Sequence, residues 1–156
     1  MNNPDTITID TINLRINISK KVSDTWLSYR QSRSTAPEAF GVLIGNKDLG
    51  VEHYHIVEVT VPQNGDRCSR LSFTLQDPEH QRRVDHLHQS SSGQLIYLGT
   101  WHTHPEKVPH ASHTDIRDWK ECKSRNKERQ LFFVIIGTEQ NALYYFLGEN
   151  LLRQEF

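Results

Sequence analysis

The run Leu131-Phe132-Phe133-Val134-Ile135-Ile136 does most to limit how this chain can fold. A strand with one wet face alternates apolar and polar residues. A short run that is apolar at every position, rich in aromatic and β-branched side chains, fits a central strand buried on both faces. Such a strand needs neighbours on either side and layers above and below, so the rest of the chain has to supply both strands and helices.

The remaining pattern does so. Thr11 to Ile18 alternates, with Ile12, Leu14, Ile16 and Ile18 on one face, and reads as a strand. Lys20 to about Ser32 reads as a helix, with Ser19 as N-cap and Val22, Trp26 and Tyr29 on one side. Phe40 to Ile44 is a short apolar strand closed by a turn at Gly45-Asn46, and Val51 to Val61 is a longer strand. After a loop at Pro62–Asp66, Leu71 to Leu75 is a short strand. Asp77-Pro78 opens a second helix, Asp as cap and Pro at the first helical position. It runs to about Gln89 and buries Val84 and Leu87. Leu95 to about Trp101 is the next strand, and Ser112 caps a third helix running to about Arg125 with Ile116 and Trp119 inward. Gly137 to Asn141 turns the chain into a final strand, Ala142 to Leu147. The expectation is one α/β domain over residues 1–156, with three helices among the strands of a mixed sheet.

Composition narrows the function. The 18 basic and 19 acidic side chains leave a net charge of -1, which gives no electrostatic footprint for nucleic acid and no basic segment for a membrane surface. No apolar run approaches the roughly 20 residues needed to span a bilayer, and the polar start Met1-Asn2-Asn3-Pro4-Asp5 is no signal peptide. Two cysteines, Cys68 and Cys122, are a poor disulfide framework, so cytoplasm is expected. Nine histidines are many for this length.

Three of those histidines fall in one stretch, Gly99-Thr100-Trp101-His102-Thr103-His104-Pro105 followed by Ser112-His113-Thr114-Asp115. Side chains two apart on a strand point the same way, so His102 and His104 can face one ion. Pro105 then turns the chain away. Asp115 falls in the first turn of the third helix, where the helix dipole favours a carboxylate. His102, His104 and Asp115 are therefore candidate ligands for one zinc ion, with a fourth position open to water. That is the pattern of a catalytic zinc site, whereas structural sites are usually closed by four protein ligands. Hydrolysis also needs a proton acceptor. No His-Glu-x-x-His helix supplies one, but Glu38 stands at the mouth of the apolar strand in Pro37-Glu38-Ala39-Phe40-Gly41-Val42-Leu43-Ile44-Gly45. A zinc deaminase would require Cys-x-x-Cys, which does not occur.

Glu38 with the Gly-x-Leu-x-Gly strand behind it, then His-x-His-Pro, then Ser-x-x-Asp, resembles the JAB/MPN domain with its JAMM metalloprotease motif, over roughly Ile9 to Leu147. The resemblance implies a cytidine-deaminase-like α/β fold. It implies His102, His104 and Asp115 as zinc ligands, Glu38 as general base and acid, and Ser112 as a donor to the oxyanion of the tetrahedral intermediate. Members of that family cleave bonds after the C-terminal glycine of ubiquitin or ubiquitin-like proteins. Phe73, the His80-Gln81 pair and the run Tyr97 to Glu106 further resemble small bacterial JAB proteins of antiphage CBASS operons. The partners this implies are a cGAS/DncV-like nucleotidyltransferase (CD-NTase) with a flexible C-terminal tail and its conjugates, beside E1- and E2-like conjugation proteins. Alternatives within the family are a peptidase for ubiquitin-like or sulfur-carrier proteins and a non-catalytic scaffold. His110 and His113 are candidates for a second metal or for substrate contact, or are solvated loop residues. His53 and His55 share a strand face with no third ligand close in sequence and read as polar strand residues. His86 and His88 read as surface positions, and Cys68 as an inert residue or a thiol near the site.

Overall fold

In the computed structural model, residues 5–32, 36–68, 73–74 and 77–156 are described, the side chains of 67, 68, 73 and 74 excepted. The chain opens with a hairpin of β1 (Ile7–Asp10) and β2 (Arg15–Ile18), where one strand from Thr11 to Ile18 was expected. Thr11 accounts for the difference. Its N–H donates to the Leu14 carbonyl at 2.9 Å, and its hydroxyl oxygen accepts from the N–H groups of Asn13 and Leu14, which closes a turn. Ile12 sits on that turn and is fully exposed, while Leu14, Ile16 and Ile18 are buried.

Ser19 caps α1 (Lys20–Tyr29) by accepting from the Val22 N–H. Val22 and Trp26 pack on the sheet. The helix ends three residues short of Ser32, because Arg30 leaves helical geometry (φ −52°, ψ 136°) and Gln31 turns into the core. Strand β3 (Phe40–Lys47) continues through Gly45-Asn46, its pairing with β4 shifting register between Ile44 and Gly45. Gly45 is a close-approach glycine, not a turn: a Cβ there would lie 1.7 Å from the His55 carbonyl oxygen of the neighbouring strand. The turn comes later, with Gly50 at φ +76°, and leads into β4 (His53–Val59). Val51 belongs to that turn and is exposed, and the buried residues of β4 are Tyr54 and Ile56.

Arg67–Cys68 (β5) and Phe73–Thr74 (β6) form a small separate ladder. Residues 71, 72 and 75 of the expected Leu71–Leu75 strand, and the side chain of Cys68, lie outside the described residues. Helix α2 (Glu79–Ser90) starts one residue later than expected, Pro78 standing at the cap position while the Asp77 carboxylate accepts the Glu79 N–H at 2.9 Å. Val84 and Leu87 are half-buried, and the buried side chain of α2 is His80. His80 ties the helix to the sheet and to the preceding loop: one ring nitrogen lies 2.5 Å from the Thr60 hydroxyl, the other 2.6 Å from the Asp66 carboxylate.

The rest follows as β7 (Ile96–Thr103), α3 (His113–Arg125), β8 (Phe132–Ile136), β9 (Asn141–Leu147) and β10 (Asn150–Glu155). The order in the eight-stranded sheet is β1-β2-β4-β3-β7-β8-β9-β10. The apolar run is internal as expected: β8 pairs parallel to β7 and antiparallel to β9, and each of its residues is buried. Its alternate side chains feed two cores. Phe132, Val134 and Ile136 join Trp26 and Trp101, whereas Phe133 and Ile135 join Trp119 of α3. Gly99 (φ +126°) allows β7 and β8 to meet, since a Cβ there would lie 1.8 Å from the Phe132 carbonyl oxygen. Ala142–Leu147 is not the final strand. β10 follows it across a turn at Gly148 and forms the sheet edge.

Candidate metal centre and active site

His102 and His104 leave the end of β7, one of the innermost strands. His102 is paired with Phe40 of β3 on one side and Ile135 of β8 on the other, and its ring lies 6.3 Å from that of Trp119. The His104 N–H donates to the Ile136 carbonyl, which carries the strand direction one residue further. Both imidazoles therefore project to the same side, their Nε2 atoms 3.0 Å apart. Asp115 comes from α3 through a capping box: the Ser112 hydroxyl accepts the Asp115 N–H at 3.0 Å, and the Asp115 carboxylate accepts the Ser112 N–H at 2.8 Å. One hydrogen-bond pair thus starts the helix and aims the carboxylate. Its two oxygens lie 3.4 Å from His102 Nε2 and 3.4 Å from His104 Nε2.

The electrostatics answer to that packing. Burial pulls the His102 imidazole below its ordinary pKa, against the pull of Asp115. Burial also acts to lower His104, but hydrogen bonding to Asp115, the charges of Asp115 and Glu38, and the hydrogen bond to Glu106 outweigh it, and His104 is raised. Burial would raise Asp115, yet the hydrogen bonds and charges of the two histidines and the Ser112 N–H hold it well below the usual carboxylate range. His104 Nδ1 lies 2.9 Å from Glu106, so its N–H donates there and Nε2 keeps its lone pair for the shared space. The donor set fits a borderline divalent cation. Two imidazole nitrogens and one carboxylate oxygen lie within 4.8 Å of one another, and the carboxylate is already drawn to both rings.

Glu38 reaches this group from the chain just before β3. It is buried, its Oε1 lies 3.8 Å from His104 Nε2, and desolvation pushes its carboxyl up to about 7, with Asp115 adding to the rise and His104 opposing it. Thr103 fixes the approach. Its side chain points away from the two histidines, as strand alternation demands, and its hydroxyl accepts the Ala39 N–H at 2.9 Å and donates to Gln31 Oε1 at 3.0 Å. The Thr103 N–H also donates to the Ala39 carbonyl. The residue following Glu38 is thereby held at two points, its N–H and its carbonyl. Gln31 in turn donates to the Ala36 carbonyl.

Four expected site residues, Glu38, His102, His104 and Asp115, are brought together, and Ser112 is the exposed N-cap beside them. His110 and His113 are exposed, and among the described residues neither joins a cluster of potential ligands. His86 and His88 are exposed on α2. The sequence reading missed Thr103, Gln31 and Glu106, which orient the site. It also missed Arg153 of β10, which donates to the Pro109 carbonyl at 2.8 Å and to the Tyr144 hydroxyl at 3.1 Å, while that hydroxyl accepts the Ala111 N–H. These contacts pin the loop between His104 and Ser112. Parity could have flagged Thr103, which must face away from its two neighbours. Nothing local in sequence marks Arg153.

Comparison with known proteins agrees with the geometry. Residues 25–146 match the family described as prokaryotic homologs of the JAB domain. A protein of Escherichia coli (strain TW11681) named CD-NTase/cGAS isopeptidase is 36% identical over 119 residues, covering 76% of this chain and 75% of its own length. Proteins of the same name from Vibrio cholerae and Pseudomonas aeruginosa are 35% identical over 111 residues (71% of this chain, 69% of theirs) and 31% identical over 130 residues (83% and 80%).

Proposed function

The chain belongs to the family of prokaryotic JAB-domain homologs, and on that premise we propose that it is a zinc-dependent isopeptidase that releases a CD-NTase-like nucleotidyltransferase from proteins to which its C-terminus has been joined. The substrate class rests on the names of the three relatives, and the setting proposed with it is antiphage defence beside E1- and E2-like conjugation proteins. The observation that carries the chemistry is the convergence of His102, His104 and Asp115 with a buried carboxylate, Glu38, 3.8 Å from the nearer histidine.

His102 and His104 through Nε2, and Asp115 through its carboxylate, would hold the zinc. When bound, the ion supplies Lewis acidity at the scissile carbonyl. Glu38 takes a proton from the attacking water and delivers it to the leaving nitrogen. A carboxyl raised to about 7 is matched to both halves of that exchange at neutral pH. Ser112 uses its oxygen to accept the Asp115 N–H, which leaves its O–H free to donate to the carbonyl oxygen as charge develops there. His104 is oriented by Glu106, and Glu38 by the Thr103 clamp.

The test joins the C-terminus of a CD-NTase-like nucleotidyltransferase to a reporter protein and follows release by mass spectrometry. The expected result is cleavage at the junction, loss of cleavage with a chelator and recovery with zinc. No cleavage by zinc-loaded protein, or cleavage indifferent to the chelator, rejects the proposal. Fusions ending in ubiquitin-like or sulfur-carrier tails, run in parallel, measure how far the substrate class extends.

The Thr103 clamp gives a second expected result. Thr103→Val leaves the buried Ala39 N–H without its side-chain acceptor, at a cost of about 1–3 kcal/mol, and frees Glu38 to drift. Turnover is expected to fall roughly tenfold or more, with zinc content unchanged and Thr103→Ser close to wild type. Equal loss in Thr103→Val and Thr103→Ser would show that the clamp does not act through its hydroxyl.

A further inference from the structure

We propose that Asp48, His53 and His55 form a second binding site for a divalent ion of the zinc class, at the turn joining β3 to β4. His53 and His55 are two apart on β4 and share a face, their ring centroids 4.5 Å apart. Asp48 closes the turn, its N–H donating to the His53 carbonyl at 2.9 Å, and this sets its carboxylate between the rings. One carboxylate oxygen lies 2.9 Å from His53 Nδ1 and the other 3.0 Å from His55 Nε2. One ligand atom from each of the three lies within 4.8 Å of the others, the same relation as at His102, His104 and Asp115. Two imidazoles and a carboxylate are borderline donors suited to zinc, cobalt, nickel or copper rather than to magnesium or calcium.

The surroundings suit an ion that enters from solvent. The side chains are 24%, 28% and 42% exposed for His53, His55 and Asp48, which leaves water to complete the coordination. A metal-binding imidazole usually donates its other N–H to a fixed acceptor. The remaining nitrogen of His53, Nε2, lies 2.9 Å from the side-chain amide of Asn17 on β2. An asparagine amide can present either its oxygen or its nitrogen, and the Thr8 hydroxyl beyond it, at 3.1 Å, can accept or donate to match. With the amide oxygen toward His53, the ring carries its proton on Nε2 and offers Nδ1 to the ion. Without the ion, the carboxylate accepts from the two rings and holds the same three groups in place.

This site stands at the far end of β3 from Glu38. Eight strand residues separate the two, about 25 Å at roughly 3.3 Å per residue. The two sites therefore bind independently. Zinc counted by elemental analysis and calorimetric titration, on the full chain purified without a polyhistidine tag, tests this. Two equivalents are expected for wild type, one each for Asp48→Asn and Asp115→Ala, and none for the double variant. A wild type that holds one equivalent, or an Asp48→Asn protein that still holds two, overturns the proposal. Should Asp48→Asn fold poorly, NMR on the Asp115→Ala protein keeps the question open to refutation: added zinc must shift the ring resonances of His53 and His55, and rings that do not move reject the site. Cleavage by Asp48→Asn stays at the wild-type rate, so this count is separable from the isopeptidase reading.

Discussion

Replacing Glu38 by Gln is expected to lower turnover by about 10²–10⁴-fold, with zinc content unchanged and the melting temperature no lower than wild type. The amide keeps the size of the carboxyl and its place beside His104, but cannot accept a proton from water. The stability half of the result follows from the direction of the shift. Burial raises the Glu38 carboxyl from 4.5 to about 7, so the folded chain holds this proton more tightly than the unfolded chain does. Its contribution to stability is complete at acid pH and is lost as pH climbs from below 4.5 through about 7. At neutral pH the metal-free fold therefore carries a buried, partly ionised acid that Gln removes. Thermal melts at pH 5 and pH 8 check this: the wild type gives up more stability than Glu38→Gln between them. A Glu38→Gln enzyme with wild-type turnover would rule out Glu38 as the proton carrier.

Asp115→Ala is expected to lose activity together with the metal held at His102 and His104. The carboxylate lies 3.4 Å from each imidazole and is the negative charge that draws them together, so its removal leaves two neutral nitrogens with no anion between them. It also breaks half of the capping box of α3, at about 0.5–2 kcal/mol. Ser112→Ala separates the two roles. It removes the reciprocal cap at a similar cost and leaves the carboxylate, so zinc is retained and only stability and the oxyanion contact suffer. Elemental analysis and thermal melts on the pair of variants read the difference. Asp115→Ala protein that keeps wild-type zinc at His102 and His104 would remove Asp115 from the ligand set.

The parts of the fold legible in sequence were those where period and chemistry agree. The doubly buried β8, the cap and inner face of α1, and the Ser112–Asp115 start of α3 each carry a local signal that tertiary packing reinforces. The errors fell where a residue type serves two purposes. Gly45-Asn46 has the composition of a turn, but the glycine is there so that β4 can approach, and the chain bends only after Asp48. Ile12 keeps the alternation of its neighbours, yet Thr11 satisfies its backbone locally and leaves Ile12 in water. β10 alternates weakly because an edge strand is half-buried. At the site the ligands were readable because they are close in sequence. Glu38 was readable through its strand, and Asp48 was missed as a partner of His53 and His55 because a turn of unexpected position joins them.

The pairing of β7 between β3 and β8 has a kinetic meaning. The amides that carry His102 and Thr103 lie in the middle of the sheet, where exchange with deuterium requires the whole domain to open rather than a local loop to fray. His102, a candidate metal ligand, therefore has no private route to disorder. Loss of the strand that carries His102 and global unfolding become one event.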